Sequence, residues 1–328
     1  MRILLFGDGV WATNSLQRLA QEGWTLLGIV VRTKPTDLDL LATAEELHLP
    51  IFQPQRVNDS EFVTGVGALQ PDLNLSVSYD QILRSPILET APLGFVNFHA
   101  GKLPHYRGRN AINWAIINDE TEIGLTAHYI NEGIDTGDII LQRTLPIAWT
   151  DTYGDVLHNI VAVFPDFVAE VVRLIERNEV NRQPQAYLEG TYFSARILGD
   201  EWIDWHDTSL NIYNKIRAIT HPGPGARTTL GDRTLVIWRA RYDPNWPKYI
   251  ATPGEVIGTV PGQGAKVKTG DSTLILESVQ FEGEDELEQV PIFRIGIRFG
   301  IDLIKVVHQL QREMGELRGI VSNEELDK

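Results

Sequence analysis

Short apolar runs alternate with helical segments through the first half of the chain, and this alternation constrains the fold more than any other feature. Arg2–Phe6 is an apolar run ended by a glycine, as expected for a buried parallel strand. In the long helical segment Thr152–Asn178, apolar residues repeat every three or four positions. The other expected strands are Leu26–Val31, Ile51–Phe52, Leu73–Val77, Gly94–His99, Leu125–Ile130 and Ile139–Leu145, and the other expected helices are Ala12–Glu22, Leu38–Leu47, Ser60–Leu69 and Asn110–Asn118. This pattern predicts a doubly wound, mostly parallel α/β sheet with helices on both faces.

The pattern changes near residues 185–205, which predicts a second domain. Later segments are short, strand-like and separated by glycine and proline turns, as in a small β-barrel. They are Thr234–Trp238, Glu255–Thr259, Ala265–Lys268 and Thr273–Val279. From Ile301 the sequence returns to helix, with an apolar stripe of Leu303, Val307, Leu310, Met314 and Leu317. That stripe either packs on the barrel or forms a self-association seam.

Charge and residue usage exclude several classes of function. The 328-residue chain has a formal net charge of −15, which argues against general binding of nucleic-acid backbones. It has no cysteine, which excludes disulfides, Cys-ligated zinc, iron–sulfur clusters and thiol nucleophiles. The sequence opens without a leader and has no apolar run near the roughly 20 residues that cross a bilayer. We therefore expect a soluble cytoplasmic protein without membrane contact.

A glycine-spaced turn, Gly7–Ala12, follows the first strand and opens a helix. Its spacing matches a dinucleotide fingerprint, but Arg32 stands near the position where an acidic residue would bind the ribose. An arginine at that position suits the 2′-phosphate of NADP, so an NADP site is one alternative. The alternative is the tight strand-to-helix turn of any doubly wound fold, whose backbone N–H groups also face the ligand-binding edge.

Two polar residues, Asn97 and His99, alternate on one otherwise apolar strand. Their side chains leave the same face, where polar groups are costly unless they serve a function. A structural histidine at a strand end is the alternative.

Four cationic residues follow within eight positions, just before a helix N-terminus: Lys102, His105, Arg107 and Arg109. Guanidinium groups beside helix-end N–H groups predict a local site for a phosphate or carboxylate. A solvated loop is the alternative.

Asp135 lies between two glycines in the turn Gly133–Ile140, which joins two expected strands. On spacing alone it is a turn residue, and a further role depends on whether it reaches His99. Asp-Thr-Gly is also the triplet of aspartic proteases, but those enzymes need two copies and this chain has one. Phosphate-loop, zinc-helix and nucleophile-elbow motifs do not occur in the sequence.

The pair Asn97-x-His99, the run LPHYRGRNAINWAI and the run GIDTGDII stand in an order that resembles the folate-dependent formyltransferases. The resemblance covers most of the chain. Residues 1–190 look like the doubly wound catalytic domain and 202–300 like an OB-like C-terminal barrel, with a C-terminal helix and tail over 301–328.

The resemblance implies transfer of a formyl group from N10-formyltetrahydrofolate to an amine, without a metal. The catalytic Asn, His and Asp of the family match Asn97, His99 and Asp135. An amide N–H and an imidazolium suit the developing oxyanion, and a carboxylate-held histidine suits proton transfer. The resemblance further implies cofactor contacts at Tyr79, Ile82, Leu83, Ile134, Thr136 and Asp138. It implies acceptor contacts at Gly9, Trp11, Lys102, Arg107 and Arg109.

The acceptor is less specified by these motifs. The family's tRNA enzymes carry a basic insertion after the second strand, whereas Arg32–Asp39 is short and charge-balanced. Together with the net charge, this favours an acceptor with a compact diphosphate, namely the amine of a nucleotide-linked amino sugar. The run Tyr106–Arg109 resembles that of enzymes that formylate 4-amino-4-deoxy sugars, and the resemblance to such sugar enzymes also implies a homodimer. The expected partners are thus small molecules and not nucleic acid. The main alternative is methionyl-tRNA; others are glycinamide ribonucleotide, folate hydrolysis and a non-catalytic binding module.

Overall fold

Seven strands form the sheet of the first unit, Met1–Ile197. The computed structural model describes residues 1–33, 37–185, 190–283, 287–300 and 306–315. The strands are β1 (Arg2–Gly7), β2 (Thr25–Val30), β3 (Ile51–Phe52), β4 (Leu73–Val77), β5 (Phe95–His99), β7 (Glu122–Tyr129) and β8 (Ile139–Pro146). Their spatial order is β3-β2-β1-β4-β5-β7-β8; the first five are parallel, and β7 and β8 each run antiparallel to their neighbours. A separate two-residue pair joins β6 (Arg107–Gly108) to β9 (Tyr192–Phe193).

Helices cover both faces of this sheet. They are α1 (Gly9–Gln21), α2 (Leu38–Glu46), α3 (Ser60–Ala68), α4 (Ala111–Ile117) and α5 (Tyr153–Glu176). The Phe98 ring on β5 packs edge-on against Phe164 and Phe167 of α5, with ring centroids 6.0 and 6.1 Å away. Phe95 points the other way and joins a buried cluster with Val66 of α3. The predicted doubly wound α/β fold is confirmed.

The second unit, Leu198–Lys328, contains a five-stranded antiparallel sheet. Its strands, in spatial order, are β10 (Ala226–Leu230), β11 (Arg233–Arg241), β14 (Thr273–Phe281), β13 (Gly264–Lys268) and β12 (Val256–Val260). The sequence reading missed β10 and the helix α6 (Ser209–Ile219).

Residues 306–315 are helical, within the segment where a C-terminal helix was expected. Val307, Leu310 and Met314 of the predicted stripe are half-exposed there, and Leu303 and Leu317 lie outside the described residues. Self-association through this stripe stays a prediction. In the part of the chain that the structure describes, no helix has the length and apolar character to span a membrane.

Candidate active site

Asn97, His99 and Asp135 meet at the carboxyl end of β5. Because side chains alternate along a strand, Asn97 and His99 leave the same face. Asp135 reaches both from the loop between β7 and β8. Its Oδ1 lies 3.4 Å from Asn97 Nδ2, and its Oδ2 lies 3.7 Å from His99 Nδ1. The structure thus brings the Asp135 carboxylate to His99.

A second histidine, His128, completes this cluster from the neighbouring strand. It stands directly opposite Asn97 in the β5–β7 register and is buried. Its Nε2 lies 3.2 Å from Asn97 Nδ2 and 3.4 Å from Asp135 Oδ1. Nδ1 lies 2.9 Å from the Tyr129 carbonyl, which only accepts, so Nδ1 carries a proton. Nε2 therefore accepts from Asn97 when the ring is neutral and donates to Asp135 when it is protonated.

Sequence reasoning missed His128, although a signal was present. Leu125–Ile130 was expected to be a strand, and His128 is a polar residue within that apolar strand. The pairing register that sets it opposite Asn97 is a property of the fold.

His99 is held between two oxygen atoms. Its Nε2 donates to the Tyr106 carbonyl at 2.6 Å, and Nδ1 faces the Asp135 carboxylate. An oxygen atom therefore faces each of the two ring nitrogens. A Cβ at Gly101 would lie 2.4 Å from Nε2, so this position has room only for glycine while His99 keeps its place.

The Asp135 carboxylate stays ionised in this setting. Burial raises the pKa of this carboxyl, but the charges of His99 and His128 and the hydrogen bonds of His128 and the Gly108 N–H outweigh it. The Gly108 N–H donates to Oδ2 at 2.8 Å. The net effect is a pKa well below the usual range.

This pKa predicts an acid-dependent contribution to stability. The folded value lies below the ordinary value of 3.8, so ionised Asp135 stabilises the fold fully above that pH and less as pH falls toward the folded pKa. We expect the difference in Tm between the protein and Asp135→Asn to be largest near pH 5 and to shrink below about pH 4. Thermal unfolding followed by circular dichroism measures it, with the exposed Asp232→Asn as control. A difference that stays constant down to pH 2.5 would contradict this expectation.

The loop that carries Asp135 is tightly confined. Asp135 has a left-handed backbone with φ +52°, which is uncommon for a residue with a side chain. A Cβ on Gly137 would stand 1.7 Å from the Tyr129 carbonyl oxygen, and one on Gly133 would stand 2.1 Å from Thr136 Oγ1. The two glycines that flank the acid are therefore required by close approach.

The predicted basic cluster does not converge on one site. Lys102 pairs with Glu122, while the exposed Arg109 places Nη2 3.4 Å from the Asp80 carbonyl. Arg107 is completely buried, with an exposed fraction of 0%. The expectation that Arg107 binds an acceptor phosphate is therefore corrected, because its guanidinium faces the interior.

Arg107 instead belongs to a buried hydrogen-bond chain that ends at the Asp135 loop. It donates to Gln185 Oε1 through Nε (3.1 Å) and Nη2 (2.7 Å), and to the Tyr192 hydroxyl through Nη1 (3.1 Å). Gln185 Nε2 then donates to the carbonyls of Asp135 (2.9 Å) and Gly137 (2.7 Å). Sequence reasoning missed Gln185, since no motif marks a glutamine 50 residues beyond the acid.

The glycine turn after β1 is occupied by the protein's own ion pair. Asp8 is buried and its carboxylate lies 2.5 Å from Arg32 Nη2, so this arginine is engaged at the position considered for an NADP phosphate. Gly9 takes φ +71° as α1 begins. Trp11 is half-buried and its ring centroid lies 4.7 Å from that of Phe164 of α5, so this side chain packs within the first unit.

The expected cofactor-side residues include two exposed isoleucines and one tyrosine with a buried hydroxyl. Ile82 and Ile134 are exposed by 59% and 56%, as suits residues that cover an apolar ring system. The Tyr79 hydroxyl is buried and has no hydrogen-bond partner among the described residues. Exposed isoleucines and an unsatisfied phenol fit a partly apolar, polar-edged group such as a folate.

The other three residues of this set are engaged within the protein. Leu83 is buried in the cluster beneath Tyr79. Thr136 donates to the Asn131 side chain at 2.7 Å, and the Asp138 carbonyl accepts from the Tyr129 N–H at 2.9 Å. Any contact of these three with a cofactor stays a prediction.

An amide, two imidazoles and a carboxylate together suit acyl-type transfer. Amide and imidazolium N–H groups stabilise an oxyanion, and a carboxylate-held imidazole can move a proton. The contacts among these side chains are 3.2–3.7 Å long. Within the described ranges, no group of three His, Asp or Glu residues could hold a metal ion.

Comparison with protein-family models gives matches on both units. Residues 1–172 match the model described as formyl transferase. Residues 198–294 match the model described as formyl transferase, C-terminal domain. Together they cover most of the chain.

Individual relatives match across both units. The methionyl-tRNA formyltransferase of Symbiobacterium thermophilum is 37% identical over 272 residues, which cover 79% of this chain and 82% of the relative. That of Pelotomaculum thermopropionicum is 34% identical over 248 residues, covering 73% and 79%.

Solved structures share the fold at lower identity. WlaRD, a sugar 3N-formyl transferase, is 21% identical with a TM-score of 0.65, covering 87% of this chain and 98% of its own. An N-formyltransferase from Helicobacter canadensis, crystallised with folinic acid and dTDP-3-aminofucose, is 20% identical with a TM-score of 0.63, covering 84% and 98%.

Proposed function

The chain belongs to the formyl transferase family and is an N10-formyltetrahydrofolate-dependent formyltransferase. We propose that its acceptor is the amino group of methionyl-tRNA. The similarity to methionyl-tRNA formyltransferases carries this proposal. It extends over 272 residues at 37% identity in the Symbiobacterium relative and includes both units.

The expectation of an amino-sugar acceptor is wrong. Seven methionyl-tRNA formyltransferases are 32–37% identical over 73–88% of this chain. The sugar enzymes of known structure reach only 20–24% identity, a range that shows the fold and not the acceptor. The expectation that nucleic acid is no partner falls with it.

Net charge misled the choice of acceptor because it averages over the chain. Residues 198–300 have 11 basic and 14 acidic side chains, so this segment accounts for only −3 of the net charge of −15. At physiological salt, exposed charges more than about 8 Å apart are largely screened. A polyanion therefore responds to the surface it touches rather than to the whole molecule.

Asn97 and His99 are the proposed electrophilic groups. When bound, N10-formyltetrahydrofolate supplies the formyl group, and Ile82, Ile134 and the Tyr79 hydroxyl are the proposed contacts on its side. Attack by an amine makes the formyl oxygen negative, and the N–H groups of Asn97 and His99 are the proposed donors that stabilise that charge. Both side chains are occupied by contacts within the protein here, so substrates must exchange for those contacts.

Asp135 is proposed to pair with His99 while that histidine carries a proton during the reaction. The acceptor amine must lose a proton and the leaving nitrogen must gain one, and an imidazole near its own pKa can serve both transfers. The Asp135 carboxylate lies 3.7 Å from His99 Nδ1, close enough to attract the positive charge that forms on the ring during this exchange.

The acceptor is tested by direct competition. Purified protein with N10-formyltetrahydrofolate is offered methionyl-tRNA and, separately, dTDP-linked 3-amino and 4-amino sugars. We expect formyl-methionyl-tRNA as the product, with kcat/KM falling steeply as salt rises, because phosphate contacts release counterions. N-acetyl-methionyl-tRNA, which has no free amine, is the matched control and should give no product. Turnover of an amino sugar without turnover of the tRNA would overturn the proposal.

A further inference from the structure

We propose that Arg107 and Gln185 are positioning residues that hold the Asp135 carboxylate in its place beside His99. The inference rests on the role proposed above for Asp135, and it concerns residues that cannot touch substrate themselves. Both are buried, with exposed fractions of 0% and 7%.

The buried Arg107 guanidinium is the first step of the argument. Removing a charged group from water is costly unless its N–H groups find partners. Here Nε, Nη1 and Nη2 all donate, two of them to one oxygen atom, Gln185 Oε1. A Cβ on Gly190 would come within 2.4 Å of Nη1, so the chain packs closely around this group.

Arg107 sets the orientation of the Gln185 amide. A guanidinium only donates, so Gln185 must turn its oxygen toward Arg107. Its nitrogen is then directed away and presents two N–H groups. These bond the carbonyls of Asp135 at 2.9 Å and of Gly137 at 2.7 Å, on both sides of the Asp135–Thr136–Gly137 turn.

Residues 107 and 108 also contact Asp135 through a second, main-chain hydrogen bond. The N–H of Gly108, the residue after Arg107, donates to Asp135 Oδ2 at 2.8 Å. Residues 107 and 108 therefore hold the acid in two ways: the main chain binds its carboxylate, and the Arg107 side chain, through Gln185, binds its backbone.

Asp135 needs such support because of its backbone. A non-glycine residue at φ +52° persists only where the surroundings hold it there. Two hydrogen bonds from one side-chain amide provide that restraint. Without them the turn is free to relax, which carries the carboxylate away from His99 and His128.

The test compares two variants with one matched control. Gln185→Leu removes both N–H donors. Gln185→Glu also removes both donors but keeps an oxygen that accepts from Arg107, so the buried guanidinium is not left without this partner. We expect each to lower kcat about 10- to 100-fold with little change in the KM for N10-formyltetrahydrofolate, since small misplacements of a reacting group act on kcat. The exposed Gln183→Leu, two residues earlier, is the control and should keep wild-type kcat and Tm.

The decisive measurement is the coupling to Asp135. In an Asp135→Asn background, Gln185→Glu should cost less than threefold further in single-turnover formyl transfer, because the group it positions is gone. A full loss in that background, or no loss of kcat in the wild-type background, would overturn the proposal.

An acceptor-independent readout separates this inference from the choice of acceptor. The carboxyl of Asp135 is followed by 13C NMR of the protein labelled at aspartate, and its signal is identified as the one absent from Asp135→Asn. We expect the titration midpoint of this carboxyl to rise in Gln185→Glu and to stay unchanged in Gln183→Leu. An unchanged midpoint in Gln185→Glu would also overturn the inference. Failure of the wild-type protein to formylate methionyl-tRNA would count against the proposed acceptor alone.

Discussion

Alanine in place of His99 is expected to lower formyl transfer about 100- to 1000-fold or more while the protein remains folded, and Asn97→Ala is expected to do the same. Loss of one preorganised donor to an oxyanion typically costs that much in kcat. Each side chain presents an N–H group at the end of β5, where the Asp135 carboxylate also lies. Neither belongs to the apolar cluster around Phe95, so the sheet should form without them.

Steady-state kinetics with the donor at saturation measures this effect, and circular dichroism reports the fold. His206→Ala is the matched control, because His206 is an exposed histidine of the second unit. Near-normal turnover by either His99→Ala or Asn97→Ala would show that the assigned roles are wrong.

Gly137→Ala is expected to produce the largest structural effect of any single methyl group added to the site. The new Cβ would overlap the Tyr129 carbonyl oxygen at 1.7 Å, and a backbone atom cannot rotate away as a side chain can. Overpacking of this kind typically costs about 1–3 kcal/mol, and backbone overlap places this case at the upper end. Because Gly137 also accepts from Gln185, displacement of the loop should remove most activity as well.

Urea unfolding gives the change in the free energy of unfolding, with Gly65→Ala as the matched control. Gly65 lies inside α3, and a Cβ there would meet nothing within 4 Å. Alanine in such a helix position should stabilise by about 0.5–1 kcal/mol. A Gly137→Ala protein with wild-type stability and activity would contradict the description of this loop as confined.

Periodicity in the sequence was sufficient to predict the first unit. Strands such as Leu73–Val77 and helices such as Ser60–Ala68 begin where the apolar pattern begins. This is because burial of one or both faces determines both the sequence pattern and the extent of the element. The helix α6 was not predicted, although its buried Ile212, Ile216 and Ile219 follow each other at spacings of four and three residues.

Some residues of the site were predictable from the sequence and others were not. Asn97 and His99 were predictable together because they share one strand, but Asp135 needed the resemblance, since spacing alone marked only a turn. Arg107 was misassigned because a charged residue in a polar segment reads as solvent-facing, and burial depends on contacts with residues near 185 and 192. His128 depends on strand register, which composition does not reveal.

Every side chain of the cluster and of its buried support comes from residues 97–192, ahead of the division between the two units at 197 and 198. A recombination event at that division would transfer the reacting groups, with the contacts that align them, as one heritable block. Selection that acts on this block therefore preserves the reacting groups and their alignment together.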